Sequence, residues 1–419
     1  MAKTKLLVLA GAGAAMDFGM PSSTCIHALF LSLAREKFPL NDSARVNLLH
    51  LRDDHNLIRS LYSHMYDKLV QYWMAEGVTD KPNFEDALHV ITQLSALPPE
   101  YGGRKFTPAL GAFVNVCTFP EVGFGLNGCA VDSATWRSLA QCLVYGLIGE
   151  FRRRCSCVES GSILILKSLF DVLASEFDVA VVTTNYDDLL HRAVPNLEMG
   201  FDNNDGGVFK EERILSRTAW PCLLHLHGSV HFDETPDVGG HVTRWVDDLS
   251  GNFYQQAGSR STRYNNAGYA SPASPIIVGY AKPEKIGELP YRTYYSELDR
   301  LISESQALLI LGHSLGLGDT HLREAFTGYS DVRGRHVVVI DLASGGLDET
   351  FSVARAVRVF GAGSLSWLGS HSDGQRVEEF RRAKAFEVCN DQGRRLSIWY
   401  DGMREACDHA DKIVAELKR

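Results

Sequence analysis

A chain of 419 residues, 45% hydrophobic and 22% charged, has the composition of a globular protein and the length for one large domain or two ordinary ones. Its net charge of −9 argues against a dedicated nucleic-acid surface, and no stretch nears the roughly 18 uninterrupted apolar residues of a membrane span. Nine cysteines, odd in number and without paired Cys-x-x-Cys spacing (the closest two are Cys155 and Cys157), read as reduced apolar side chains rather than a disulfide framework or a structural zinc site.

The opening Met-Ala-Lys-Thr-Lys leads into Leu6–Ala10, an apolar run too short for a signal peptide, so a cytoplasmic protein is expected. That run predicts a first buried strand, followed by Gly11-Ala12-Gly13-Ala14 and a helix from about Ser22 to Ala34. The next strand signal comes roughly 170 residues later, where a βαβ unit needs only about 30 in all. An insert is therefore expected at about 40–160. Its helical periods lie at Ala44–Val70, Phe84–Leu97 and Thr135–Arg153, with a glycine-punctuated loop over Gly102–Gly128. Arg152–Arg154, the densest basic run, reads as a solvated helix end.

Beyond the insert, Val179–Thr183, Cys222–Leu226, Pro275–Gly279, Ala307–Leu311 and His336–Ile340 are short runs apolar on both faces, the signature of a parallel sheet covered by helices. Tyr291–Ser305 and Asp319–Thr327 carry helical periods, and Asp233–Ser274 reads as irregular. The prediction is a doubly wound, mostly parallel α/β fold spanning 1–345. A mixed region, 346–419, follows it with strand-like Val357–Phe360 and Leu396–Tyr400, packed on the core or used in assembly.

Each predicted strand exits into polar residues. Gly11 and Gly13 remove side chains where backbone N–H groups and a helix start face a pyrophosphate, although Met16 leaves Gly-x-Gly-x-x-Gly incomplete and a tight strand–helix turn explains the pair equally well. Thr184, Asn185 and Asp187 follow the second strand, at the edge where open α/β sheets bind ligands; Asn185 or Asp187 capping the next helix is the alternative. In Leu223–Ser229, period two sets His225 and His227 on one face. His227, beside Gly228, is the acid–base candidate, and His225 a packed residue behind it. Gly312 and Ser314 either line a phosphate or ribose or make a turn, and Asp341 either holds a ribose hydroxyl or ends its strand.

In this order and spacing the motifs resemble those of the sirtuin family. The family's G-A-G and G-[IL]-P are matched by Gly11, Gly13, Gly19 and Pro21, and its Asn-x-Asp by Asn185 and Asp187. Its catalytic H-G is matched by His227 and Gly228, and its G-x-S-L by Gly312, Ser314 and Leu315. The departures are specific. Ser22-Ser23-Thr24 stands where deacylases have Asp-Phe-Arg, Thr184 replaces a glutamine, and no cysteine occurs between Gly228 and Pro275, where the zinc module of the deacylases lies. With Asn83-Phe84-Glu85-Asp86 in the insert, the chain looks like the sirtuin-like effectors of bacterial anti-phage defence that hydrolyse NAD.

The resemblance implies cleavage of NAD to nicotinamide and ADP-ribose without a metal. Asn185 would position a water or the nicotinamide ribose, His227 would act as base, and Asp187 would contact the carboxamide or hold its loop. Gly11, Ala12, Gly13, Ala14, Pro21, Thr184, Gly228, Gly312, Ser314 and Asp341 would bind the dinucleotide. It also implies a homo-oligomer and a HerA-type ATPase partner, with no membrane and no direct nucleic-acid contact. His227 and His231 share His-x-x-x-His spacing, but off a helix and without an intervening glutamate they do not make a metalloprotease pair. The rival readings are an NAD-dependent protein deacylase and a catalytically silent NAD or ADP-ribose sensor or scaffold.

Overall fold

The computed structural model describes residues 3–33, 55–77, 82–96, 133–237, 240–249, 262–264, 270–272, 276–277, 286–315, 319–327, 329, 335–341, 385–389, 395–399 and 402–418. Thirteen strands lie among them: β1 (Thr4–Ala10), β2 (Phe177–Thr183), β3 (Phe201–Asp202), β4 (Val208–Phe209), β5 (Leu223–His225), β6 (Phe232–Asp237), β7 (Gly240–Trp245), β8 (Thr262–Tyr264), β9 (Ala270–Pro272), β10 (Ala307–Leu311), β11 (His336–Ile340), β12 (Ala385–Cys389) and β13 (Arg395–Trp399). Seven form the central sheet, in the order β12-β13-β11-β10-β1-β2-β5. Every pairing in it is parallel except β12 with β13 at one edge. The doubly wound α/β fold read from the sequence is therefore the fold of this chain.

The strands are apolar on both faces because both faces are covered. Period two divides β1: Leu6, Val8 and Ala10 enter one core and Leu7 and Leu9 the other, all of them fully buried. The first core is roofed by the helix Ser160–Glu176 through Ile163, Leu166, Leu169 and Leu173, and by the C-terminal helices Gly402–Asp408 and Ala410–Leu417. The insert adds helices His55–Ala75, Phe84–Ala96 and Ser133–Cys157 to the same core, through Tyr62, Leu88, Leu143 and Leu147 among others. Helix Tyr291–Glu304 covers the opposite face with Tyr291, Tyr294, Leu298 and Leu301. Among the described residues, no helix is long and apolar enough to cross a membrane.

Asn83 opens its helix as a capping box. Its Oδ1 accepts from the N–H groups of Glu85 at 2.7 Å and Asp86 at 3.1 Å, while Asp86 Oδ2 accepts from Asn83 N–H at 2.7 Å. The loop expected over Gly102–Gly128 and the strand-like Val357–Phe360 lie outside the described residues.

Three expectations change. Asp233–Ser274, read as irregular, contains the hairpin β6–β7, which joins β3 and β4 in a second sheet, and the hairpin β8–β9. Gly, Ser and Asp enrichment marks turns, and here it masked short strands whose anchors (Phe232 and Trp245) lie at their ends. Pro275–Gly279 adds no described strand to the central sheet: Ile276 makes one antiparallel bridge, to Gly228. At that residue φ is +92°, which turns the chain out of the extended path that β5 would need to continue pairing. Finally, Arg152 is not solvated; it is 4% exposed and its Nε donates to Val230 O at 2.9 Å.

Chain order reverses between β1 and β10. From β1 the sheet grows outward through β2 and β5; the chain then returns to lay β10 against the other side of β1. The two exits meet backbone to backbone. Gly13 N–H donates to Gly312 O at 2.9 Å, and a Cβ built on Gly312 would stand 2.2 Å from Ala14 N. Gly312 also takes φ +54°, so Gly312→Ala carries both a backbone clash and left-handed strain. Its expected cost is at least about 2 kcal/mol. Gly161→Ala, in a helix with open space around the site, should instead be neutral or stabilising by about 0.5–1 kcal/mol. Chemical denaturation of the pair checks the contrast; equal effects would show that the crossing is not tight.

Candidate functional site

Strand register sets the candidate residues along one edge. Ala10 pairs Thr183 and Leu311, Thr183 pairs His225, and Leu311 pairs Ile340. The next residues outward are therefore Gly11, Thr184, Leu226, Gly312 and Asp341, with Asn185 and His227 one step further. Five strand ends at about 4.8 Å spacing make a carboxyl edge on the order of 20 Å long. Open α/β sheets bind ligands at that edge, where the strand order reverses.

The glycines answer first to each other. A Cβ on Gly11 would lie 2.7 Å from His313 Cα, and one on Gly13 2.8 Å from Gly312 Cα and O. Gly11 N–H donates to Leu311 O at 2.9 Å. The β10 exit thus fills the space beside Gly11 and Gly13 that the sequence alone left for a ligand. Ala12 is exposed, Ala14 and Pro21 are buried, and the four-residue helix Gly13–Met16 begins at once. Asp17, at its end, accepts from the N–H groups of Met403 at 2.7 Å and Arg404 at 3.1 Å, tying the glycine loop to the C-terminal helices.

On β2, Thr184 N–H extends the ladder to Ala10 O at 3.0 Å, and Asn185 N–H is held by Thr183 Oγ1 at 3.0 Å. Asn185 is 7% exposed. Asp187 turns inward, where its Oδ1 accepts from Leu189 N–H at 3.1 Å at the start of helix Leu189–Ala193. Burial pushes its carboxyl up from 3.8 to about 7, with neighbouring Asp188 adding to the rise. His225, with no exposed surface, lies within ring-contact distance of Phe232 and Trp245; burial, then His191 and His231, push it down to about 3, so the imidazole is neutral.

His227 leaves β5 at the edge and is 2% exposed. Its carbonyl accepts from Ile277 N–H at 2.8 Å, while Gly228 N–H donates back to His225 O at 3.1 Å, so the turn that carries the ring is fixed on both sides. Its Nε2 stands 3.5 Å from Asp319 Oδ1. The other oxygen, Asp319 Oδ2, stands 3.6 Å from Nε2 of buried His313, whose Nδ1 accepts from Leu315 N–H at 2.9 Å. His321 completes the cluster: its ring centroid is 6.0 Å from that of His227, and its Nε2 is 2.8 Å from Tyr295 Oη. Ser314 is exposed nearby in sequence, and Asp341 continues the edge, its N–H donating to Trp399 O at 2.8 Å.

The β10 exit therefore reaches from Gly11, just past β1, to His227, just past β5. Sequence reasoning did not single out His313, Asp319, His321 or Tyr295 for this site. The available signal was Asp-x-His, separated by four residues from Gly312-His313-Ser314, absorbed there into a helix start. Nor did it foresee the insert's part. Arg152 grips the turn after His227, and Arg154 Nη1 donates to Gly19 O at 3.1 Å in the glycine loop. His231 lies apart from the cluster of His227, Asp319 and His321: it stacks on Trp245 at 4.2 Å, with its Nδ1 2.6 Å from Val246 O. Those three are the described residues placed to hold a metal ion together.

Residues 179–356, less than half of the chain, match the family model described as the SIR2-like domain. No curated protein matches. Solved structures similar to the chain include Sir2Tm bound to a propionylated peptide, at 14% identity over 87% of this chain and 95% of that one, with a TM-score of 0.30. A complex of Sir2, p53 peptide and NAD+ gives 14% identity over 85% and 92%, TM-score 0.30. A Sir2 homologue mutant with 2'-O-acetyl ADP ribose gives 11% over 88% and 96%, TM-score 0.34. Likeness of this size places no side chain of this protein.

The Asp187 carboxyl keeps its proton to a higher pH folded than unfolded, so stability falls as pH rises from 3.8 through about 7. Asp187→Asn removes that slope while retaining an acceptor for Leu189. The variant should be more stable than the parent at about pH 8, with the gap narrowing towards about pH 5. Urea denaturation at both pH values reads it, and a gap independent of pH would mean the carboxyl is not held protonated.

Proposed function

We propose that this protein hydrolyses NAD at the nicotinamide–ribose bond. The observation that carries the reading is the convergence of Asn185 and His227 on the edge where β1 and β10 bring their glycine turns together. The match of residues 179–356 to the SIR2-like domain supports it from the sequence side.

The chemistry is economical in protein groups. The bond between C1' of the ribose and N1 of nicotinamide breaks, its electron pair leaving with the pyridine ring, while C1' gains oxocarbenium character. A water oxygen bonds to C1' and gives up a proton, so NAD+ and water become nicotinamide, ADP-ribose and a proton. Asn185 positions the water or the ribose through its carboxamide. His227 accepts the proton, either from the water or from a ribose hydroxyl. Asp319, 3.5 Å from His227 Nε2, orients the ring. Neutral, buried His225 takes no part in proton transfer; it packs behind Asn185 and against Trp245.

Gly11 to Ala14, Pro21 and Thr184 form the wall for the dinucleotide near β1 and β2, with Gly228, Gly312, Ser314 and Asp341 continuing it. Asp187, turned to Leu189, holds its loop rather than the carboxamide. The absence of cysteine from Gly228 to Pro275 favours water over a peptide as the acceptor side of the reaction, because the deacylase zinc module has no ligands there. The biological setting belongs to the same proposal and rests on the resemblance: NAD depletion in anti-phage defence by a cytoplasmic homo-oligomer working with a HerA-type ATPase.

The test is NAD consumption by the purified protein, alone and with a HerA-type ATPase, with products resolved by chromatography. Nicotinamide and ADP-ribose should appear in equal amounts. Asn185→Ala and His227→Ala should each lower the rate at least about a hundredfold, and Asp319→Asn by less. NAD bound but intact in both preparations would hand the site to the sensor reading.

A further inference from the structure

His227, Asp319 and His321 offer one ligand atom each, all lying within 4.8 Å of one another. We infer that these three side chains form a binding site for a divalent transition-metal ion, Zn2+ above all. The donor set decides the class. Two imidazoles and one carboxylate suit Zn2+ and its neighbours, whereas Mg2+ and Ca2+ call for oxygen ligands. Three protein ligands with an open position are what a non-structural zinc site presents.

The spacing agrees. Metal–ligand bonds of about 2.0–2.2 Å at tetrahedral angles set donors roughly 3.3–3.6 Å apart, and His227 Nε2 is 3.5 Å from Asp319 Oδ1. The third donor, on His321, lies within 4.8 Å of the other two, and His321 is the more exposed of the two imidazoles. Outer support is in place. Tyr295 Oη meets His321 Nε2 at 2.8 Å, and His313 Nε2 lies 3.6 Å from Asp319 Oδ2. Metal-bound imidazoles and carboxylates are oriented by such neighbours.

The site shares His227 with the His-x-x-x-His pair considered in the sequence but not His231, which is committed to Trp245 and Val246. It bears on regulation as well as binding. A metal ligand must be deprotonated and gives its lone pair to the ion, so a His227 that holds zinc accepts no proton. Bound ion and the base role are mutually exclusive, and the ion silences the enzyme. This consequence rests on the NAD-hydrolase reading; the binding site does not.

The experiment uses the full chain, freed of metal by a chelator and kept reduced. Zinc binding is measured by calorimetric titration, and Co2+ is added separately as a spectroscopic probe. Wild type should take one ion per chain at this site and give a cobalt d–d spectrum without thiolate charge transfer. Asp319→Asn and His321→Gln, close in shape to the residues replaced, should each weaken binding more than tenfold, and Tyr295→Phe about tenfold. Circular dichroism shows which variants are folded, and the Tyr295 variant serves if the ligand variants are not. Unchanged affinity in all three folded variants, or a thiolate-dominated cobalt spectrum, overturns the site. NAD cleavage followed in the same samples should fall with zinc and return with chelator. Zinc bound at the site with cleavage undiminished would overturn the silencing. If the metal-free chain cleaves no NAD either alone or with the HerA-type ATPase, the hydrolase reading fails, and the binding titration still decides the site.

Discussion

Two backbone turns cross with no room between them for a side chain. The exit of β1, Gly11–Gly13, and the exit of β10, Gly312–His313, touch through main-chain atoms, and Gly13 N–H donates across the contact to Gly312 O. Because chain order reverses between these two strands, this is also where the sheet opens its carboxyl edge. Close packing carries the constraint outward from the crossing. The His313 ring lies against Gly11, Asp319 stands between His313 and His227, and the β10 exit spans the edge from one side of the site to the other. A glycine pair that looks like an accommodation for a ligand is, in this fold, first an accommodation for its own chain.

The rest of the molecule holds that edge in place from several directions. Arg152, buried on the insert helix Ser133–Cys157, donates to the turn after His227; Arg154 from the same helix reaches Gly19 beyond the glycine turn. From the far end of the chain, the N–H groups of Met403 and Arg404 converge on Asp17. Residues separated by nearly the whole sequence thus fix one loop. Desolvating Arg152 is costly, its guanidinium being pushed down to about 10 by burial with Asp233 and Asp248 opposing the shift. Its link to Val230 and the charges around it offset that cost.

Beneath the edge lies a buried polar layer in which burial opposes charge: Asp187 is held towards its protonated form and His225 is held neutral. At the edge itself Asp319 faces His227 and His313. That difference separates residues that shape the site from those able to exchange a proton or an ion there. It also accompanies the division of the His225–His227 pair: His225, the last residue of β5, serves structure, while His227, in the turn beyond it, meets the edge.

Much of the architecture was legible in the residues. Strands apolar on both faces, such as Leu6–Ala10 and His336–Ile340, read as a covered parallel sheet because burial on two sides demands it. Polar residues at each strand's end marked the carboxyl edge, since a strand's last residues share one side of a parallel sheet, and Asn83 capped its helix as local hydrogen bonding dictates. What local pattern carries no record of is adjacency. That β1 lies between β2 and β10, that Gly312 fills the space beside Gly13, and that Asp319 and His321 arrive at His227 from three strands away depend on non-local packing, which no window of sequence contains. The sequence by itself determined which residues could react and which strands would be buried. Only the tertiary structure decided which of them meet, because the contacts are set by how helices and strands distant in the chain exclude water together.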